Sequence, residues 1–166
     1  LVGSEMCIRD RNITALVVSV LSVLLSLYAL RQATTKNTSD MYLFFISQYA
    51  KEDMKLALRK LKDIKRGVYR LEQWESDMKN NLPKAFEYDE ARRLVKYFYD
   101  TLAYMKLEKL IEARFVRLIC LKKGAWLYLD TVEAMEKFFD SGYDKKPYAV
   151  IRDVCENLRK EGCCPP

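Results

Sequence analysis

Histidine is absent from the 166-residue chain, and that one gap removes a large share of familiar chemistry. Without an imidazole there is no Ser–His or Cys–His nucleophile pair and no histidine-bearing zinc site. Glycine (5) and proline (4) are scarce, so the chain encodes few turns. No Gly-rich phosphate loop, Walker pattern, EF-hand or Cys-x-x-Cys pair occurs. The five cysteines (Cys7, Cys120, Cys155, Cys163 and Cys164) are odd in number, and Cys120 and Cys155 fall in apolar stretches as small buried hydrophobes do. A disulfide framework is therefore not expected, and the chain reads as one facing a reducing compartment. No catalytic residue, cofactor or metal ligand is expected, and the chain does not read as an enzyme.

What the sequence does contain is helix-forming material. Half of its residues are hydrophobic, 31% are charged, and Leu, Lys, Ala, Glu, Met and Arg are plentiful. The fold class that follows is all-α: an N-terminal transmembrane helix, then a small antiparallel helical bundle. Three segments are expected: a non-native tail over 1–11, an anchor with its connector over 12–36, and a helical domain over 37–162. The tail, LVGSEMCIRDR, resembles a translated adapter sequence and is set aside from fold reasoning.

From Asn12 to Leu30 no residue is charged, and Ile13–Leu30 holds eleven Leu, Ile or Val residues. Nineteen helical residues reach about 28 Å, close to the thickness of a hydrocarbon core. Tyr28 and Arg31 stand at the C-terminal end, where an aromatic ring and a snorkelling cation suit the headgroup level. A retained span from Ile13 to Leu30 is the reading preferred over a buried core helix or a cleaved signal peptide. Arg31, Lys36 and the cluster beginning at Lys51 place the C-terminal part in the cytoplasm by the positive-inside tendency. Ala15, Ser19, Ser22, Ser26, Ala29 and Ala33 recur at spacings of four and three. Such a seam of small residues suits close helix packing and a homo-oligomer through the anchor, unless small residues simply fall there.

The net charge of +6 is uneven. Residues 51–66 carry seven basic and three acidic residues, whereas residues 67–166 carry 18 and 17. In the first of these stretches Met54, Ala57, Leu58, Leu61 and Ile64 share a helix face, with Lys51, Lys55, Arg59, Lys62 and Arg66 as a separate stripe. That stripe is either a solvated face or a contact with lipid headgroups, where each charge adds about 1 kcal/mol near an anionic leaflet. Nucleic acid is not an expected partner, because the remainder is near neutral.

Other helices follow from periodicity. Met41–Ala50 is apolar nearly all round, which suggests burial in the domain or, as the alternative, the lipid interface. Gly67 closes the basic helix and Val68–Asn80 forms the next, up to a break at Asn80-Asn81-Leu82-Pro83. A long helix opens near Glu87–Glu90, with Ala91, Leu94, Val95, Phe98, Leu102 and Met105 on its apolar face. Arg114–Leu121 and Ala125–Phe139 follow, separated at Gly124, and Pro147 opens the last helix. The acid pairs Glu72/Glu75, Asp89/Glu90 and Glu133/Glu136 are expected on solvated faces, with Arg92 and Arg93 pairing to Asp89 at the surface. Tyr97, Tyr99 and Tyr104 are expected to be half-buried, or to line a groove. Cys163-Cys164 is an exposed tail or a palmitoylation pair.

The stretches Met54–Leu61, Glu90–Phe98 and Gly124 through Val132-Glu133-Ala134-Met135-Glu136 to Tyr143-Asp144 together resemble a family of uncharacterised, chiefly bacterial single-pass membrane proteins. The likeness spans about residues 13–160. It departs from the family's Val-Glu-Pro-Leu-Glu at Ala134 and Met135. It implies an N-terminal anchor with a helical domain and supplies no catalytic residues. The function expected is a protein-interaction or scaffolding module at the cytoplasmic membrane surface, with the lipid bilayer and a protein as partners. The alternative is a membrane-bound enzyme with a carboxylate or tyrosine site.

Overall fold

The structure is a computed structural model that describes residues 21–30, 32, 39–139 and 143–163. The chain divides into two compact units, Leu1–Asp40 and Met41–Pro166. In the first, residues 21–30 are helical, and Leu21, Val23, Leu24, Leu25, Leu27, Tyr28 and Leu30 are all exposed. Ser26 Oγ donates to the Ser22 carbonyl at 2.8 Å, the back-bonding by which a helical serine satisfies its hydroxyl. Among the described residues no helix is long and apolar enough to cross a membrane. The expected span reaches outside them over 13–20, as do Ala15, Ser19 and Ala33 of the small-residue seam.

Every regular element described in the second unit is helical: α1 (residues 39–50, of which 41–50 belong to this unit), α2 (Glu52–Lys65), α3 (Leu71–Lys79), α4 (Pro83–Leu107), α5 (Ala113–Cys120), α6 (Lys123–Leu127), a π-helical segment (Tyr128–Val132), α7 (Glu133–Phe139) and α8 (Lys145–Lys160). These form a bundle in which α4 packs against α2, α3 and α8. The apolar face read for the basic helix is the buried face of α2, with Met54, Ala57, Leu61 and Ile64 inside.

The helix ends follow from backbone chemistry. At the C-termini of α2, α3, α4 and α8 the chain closes with the same pair of backbone bonds. After α2 they are Gly67 N–H to the Ile64 carbonyl and Val68 N–H to that of Asp63, both 3.0 Å. This closure needs a left-handed residue. Gly67 and Gly162 supply it without strain, and Asn81 (φ 54°) tolerates it. Lys109 (φ 56°) is the exception, a side-chain-bearing residue where glycine fits best. Lys109→Gly is therefore expected to stabilise the fold by about 1 kcal/mol, partly offset by the freer unfolded chain. A thermal melt shifted downward would contradict this.

Element bounds differ from the sequence reading: α3 begins at Leu71, not Val68, and α8 at Lys145, not Pro147, and two differences go further. α4 begins at Pro83, not near Glu87, because proline at the first helical position gives up only an N–H that has no helical partner anyway. The run Ala125–Phe139 is not one α-helix: the π-helical segment interrupts it and buries Tyr128, Leu129, Thr131 and Val132 together. The widened turn also brings Glu133 and Glu136 inward. α8 starts at Lys145, capped by Asp144, whose carboxylate accepts from Lys146 N–H at 2.9 Å. Hydrogen bonds from Tyr104 and then that amide hold the Asp144 carboxyl below its ordinary range. Its contribution is thus present above the ordinary aspartate range and is lost as pH falls through the lowered value.

α1 is buried on one side only, where the sequence suggested burial in the domain. Phe45 is buried and meets Phe98 edge-on at 5.3 Å, while Leu43 and Phe44 are exposed. The core continues through stacked tyrosines: Tyr99 on Tyr128 (5.1 Å) and Tyr128 on Tyr148 (4.5 Å, 7° between planes). Cys120 and Cys155 are buried and free, as expected of small apolar residues, and Cys163 is exposed.

Candidate anion-binding cleft

The basic stripe of α2 forms one wall of a cavity of about 990 Å³. Lys55, Arg59, Lys62 and Arg66 line it, four helical positions that fall on one side at 3.6 residues per turn. Lys51 does not line it; it sits in extended conformation as the residue preceding α2. Three cations absent from the stripe complete the ring: Lys65 of α2, Lys123 at the start of α6 and Arg159 in the last turn of α8. Only the packing of α6 against α2 and of α8 against α6 brings those last two in, and no spacing in the sequence signals it.

The seven cations are exposed, and the floor beneath them is apolar. Leu127 and Gly124 are buried, while Leu58, Tyr49 and Trp126 are half-buried. Gly124, read as punctuation between helices, is instead a contact point inside α6. Its N–H donates to Tyr49 Oη at 3.2 Å. A Cβ there would lie 2.8 Å from Tyr99 Oη, 3.0 Å from Tyr49 Oη and 3.1 Å from Leu58 Cδ2. Burial raises the Tyr49 phenol above its ordinary value, so it stays neutral at physiological pH.

Carboxylates do not balance this charge. Lys55 pairs with Glu52 and Lys65 with Asp130, each at 2.6 Å. Arg59, Lys62, Arg66, Lys123 and Arg159 line the same cavity with no carboxylate within 4.0 Å among the described residues. A concave, low-dielectric wall carrying one sign of charge focuses its field and raises the local concentration of anions.

A second charged cluster lies among α4, α7 and α8. The acid pairs expected on solvated faces divide: Glu72 and Glu90 are exposed, whereas Asp89, Glu133 and Glu136 are buried. Arg92 is buried too; its Nη2 meets Asp89 Oδ1 at 2.7 Å and its Nη1 pairs with Glu136. Arg93 holds the other Asp89 oxygen at 2.7 Å and does lie at the surface, as expected. Glu133 accepts from Tyr143 and Arg152, and burial, then that bond, push the Tyr143 phenol up to about 12. Each of these buried carboxylates is committed to a cation, and none of the three lines the cleft or the smaller cavity of about 140 Å³. Their arrangement clamps helices together. Among the tyrosines, Tyr97 is exposed, Tyr99 is fully buried, and Tyr104 donates to Asp144 at 2.5 Å; none lines the cleft.

Among the described residues no group of three or more acidic or cysteine side chains is placed to hold a metal ion. No protein-family model, curated protein or solved structure matches the chain.

Proposed function

We propose that the chain is a membrane-tethered helical interaction module that receives anionic groups at the membrane surface in the cleft of α2, α6 and α8. One observation carries this reading: five cations with no carboxylate within 4.0 Å among the described residues surround an apolar floor in a single cavity. The uncharged run Asn12–Leu30 supports the tether, as does the exposure of seven apolar side chains within helical residues 21–30. The Ser22, Ser26 and Ala29 positions are exposed and suit packing against a second anchor helix. The basic α2 follows the anchor closely in sequence, which matches juxtamembrane segments that bind anionic leaflets.

Hydrogen exchange on the full chain in nanodiscs tests the surface contact. Amides of α2 and α6 are expected to be better protected on anionic than on zwitterionic lipid, with the difference shrinking as salt screens the charges. Equal protection on both lipids would remove the surface contact.

A further inference from the structure

We infer that the cleft binds one small molecule carrying several phosphate groups, whether as the headgroup of a lipid or free in solution. The inference rests on the reading of the cleft as an anion site and specifies what fills it. Shape is the first argument. A bilayer presents a plane, whereas the five cations with no ion pair among the described residues come from three helices around a hollow. Only a projecting or free ligand reaches them all. The volume, about 990 Å³, lies at the upper end of small-molecule sites, which run to about 1,000 Å³.

Charge is the second argument. Arg59, Lys62, Arg66, Lys123 and Arg159 repel one another when the cleft is empty, and a single negative charge leaves most of that repulsion in place. Several phosphate charges on one framework relieve it. The three arginines offer planar forks suited to bidentate phosphate contact, and the two lysines add point charges. The floor is the third argument. Trp126 and Leu58 give the carbon framework of such a ligand an apolar surface, which a diffuse layer of inorganic ions would not use.

Calorimetry with inositol hexakisphosphate as the soluble probe tests this on the full chain in neutral detergent. Saturable one-to-one binding is expected, weakened about tenfold by Arg159→Ala or by Lys123→Ala, the loss of about one charge-assisted contact each. Lys145→Ala, at an exposed lysine outside the cleft, is expected to leave it unchanged. Circular dichroism of each variant establishes that the fold is intact. A second arm uses nanodiscs containing a polyphosphorylated inositol lipid: tighter binding there than to the free probe identifies a headgroup, and equal or weaker binding identifies a soluble ligand. Binding that never saturates, or that Lys145→Ala weakens as much as Arg159→Ala, overturns the inference. Protection of α2 on anionic discs together with no saturable probe binding would sink the discrete ligand and leave the surface contact standing. Loss of both signals would sink both.

Discussion

Arg92→Leu is expected to lower the stability of the fold by about 3–5 kcal/mol, the usual cost of removing one partner from a buried ion pair. Arg92 lies between Asp89 and Glu136, both buried, with its guanidinium 4.7 Å above the Phe139 ring. Leucine fills part of the volume but leaves two buried carboxylates facing each other's field. Residual cations soften the loss: Arg93 still holds Asp89 at 2.7 Å, and Lys96 stands 3.8 Å from Glu136. The lower end of the range is therefore the better expectation. Small domains carry only about 5–15 kcal/mol in total, so the effect is large in a urea titration. Replacing Asp89, Arg92 and Glu136 together by apolar residues should restore most of the loss, because no buried charge of the cluster is then left unpaired and Arg93, which loses Asp89, is exposed. A loss under about 1 kcal/mol for Arg92→Leu would mean that this cluster is solvated.

Gly124→Val is the second large effect, at about 3 kcal/mol of destabilisation, the upper end of the usual cost of overpacking. Helix propensity alone argues the other way, since a helical glycine gives up as much as about 1 kcal/mol relative to alanine. Space decides the sign. The nearest atom to an added Cβ, Tyr99 Oη at 2.8 Å, belongs to a fully buried ring. That ring is held between Phe98 at 5.0 Å and Tyr128 at 5.1 Å and cannot swing away. Two further contacts at 3.0 and 3.1 Å close the other sides. Tyr99→Phe supplies the internal control. The Tyr99 hydroxyl is buried without a hydrogen-bond partner, so its removal alone should be neutral or mildly stabilising. Combined with Gly124→Ala it deletes the closest contact, and the double variant should recover much of the alanine variant's loss. Additive behaviour of the pair would show that crowding at Tyr99 is not the cause.

Legibility in the sequence tracked local periodicity. The face Met54–Ala57–Leu58–Leu61–Ile64 and the separate cation stripe were readable because both repeat within one helix. Gly67 announced its helix end because a left-handed closure asks for glycine. Lys109 performs the same turn with no such signal. The π-helical segment was not readable, since its extra residue per turn leaves apolar residues at spacings that an α-helix also satisfies. For the same reason Glu133 and Glu136 looked solvated, while the shifted register turns them toward Arg92 and Arg152. Four of the seven cations of the candidate site were legible, Lys55, Arg59, Lys62 and Arg66 of one stripe, whereas Lys65 lies off that stripe and Lys123 and Arg159 arrive only through packing of elements far apart in the chain. Gly124 illustrates the same limit, because close approach to Tyr49 and Tyr99 leaves no pattern around the glycine itself.

The tether is tested most directly by washing membranes from cells that express the full chain with alkaline carbonate. Retention in the pellet, with release only by detergent, is the result expected of an uncharged run from Asn12 to Leu30 lodged in the bilayer. Recovery of the chain in the carbonate supernatant would contradict the membrane-tethered account.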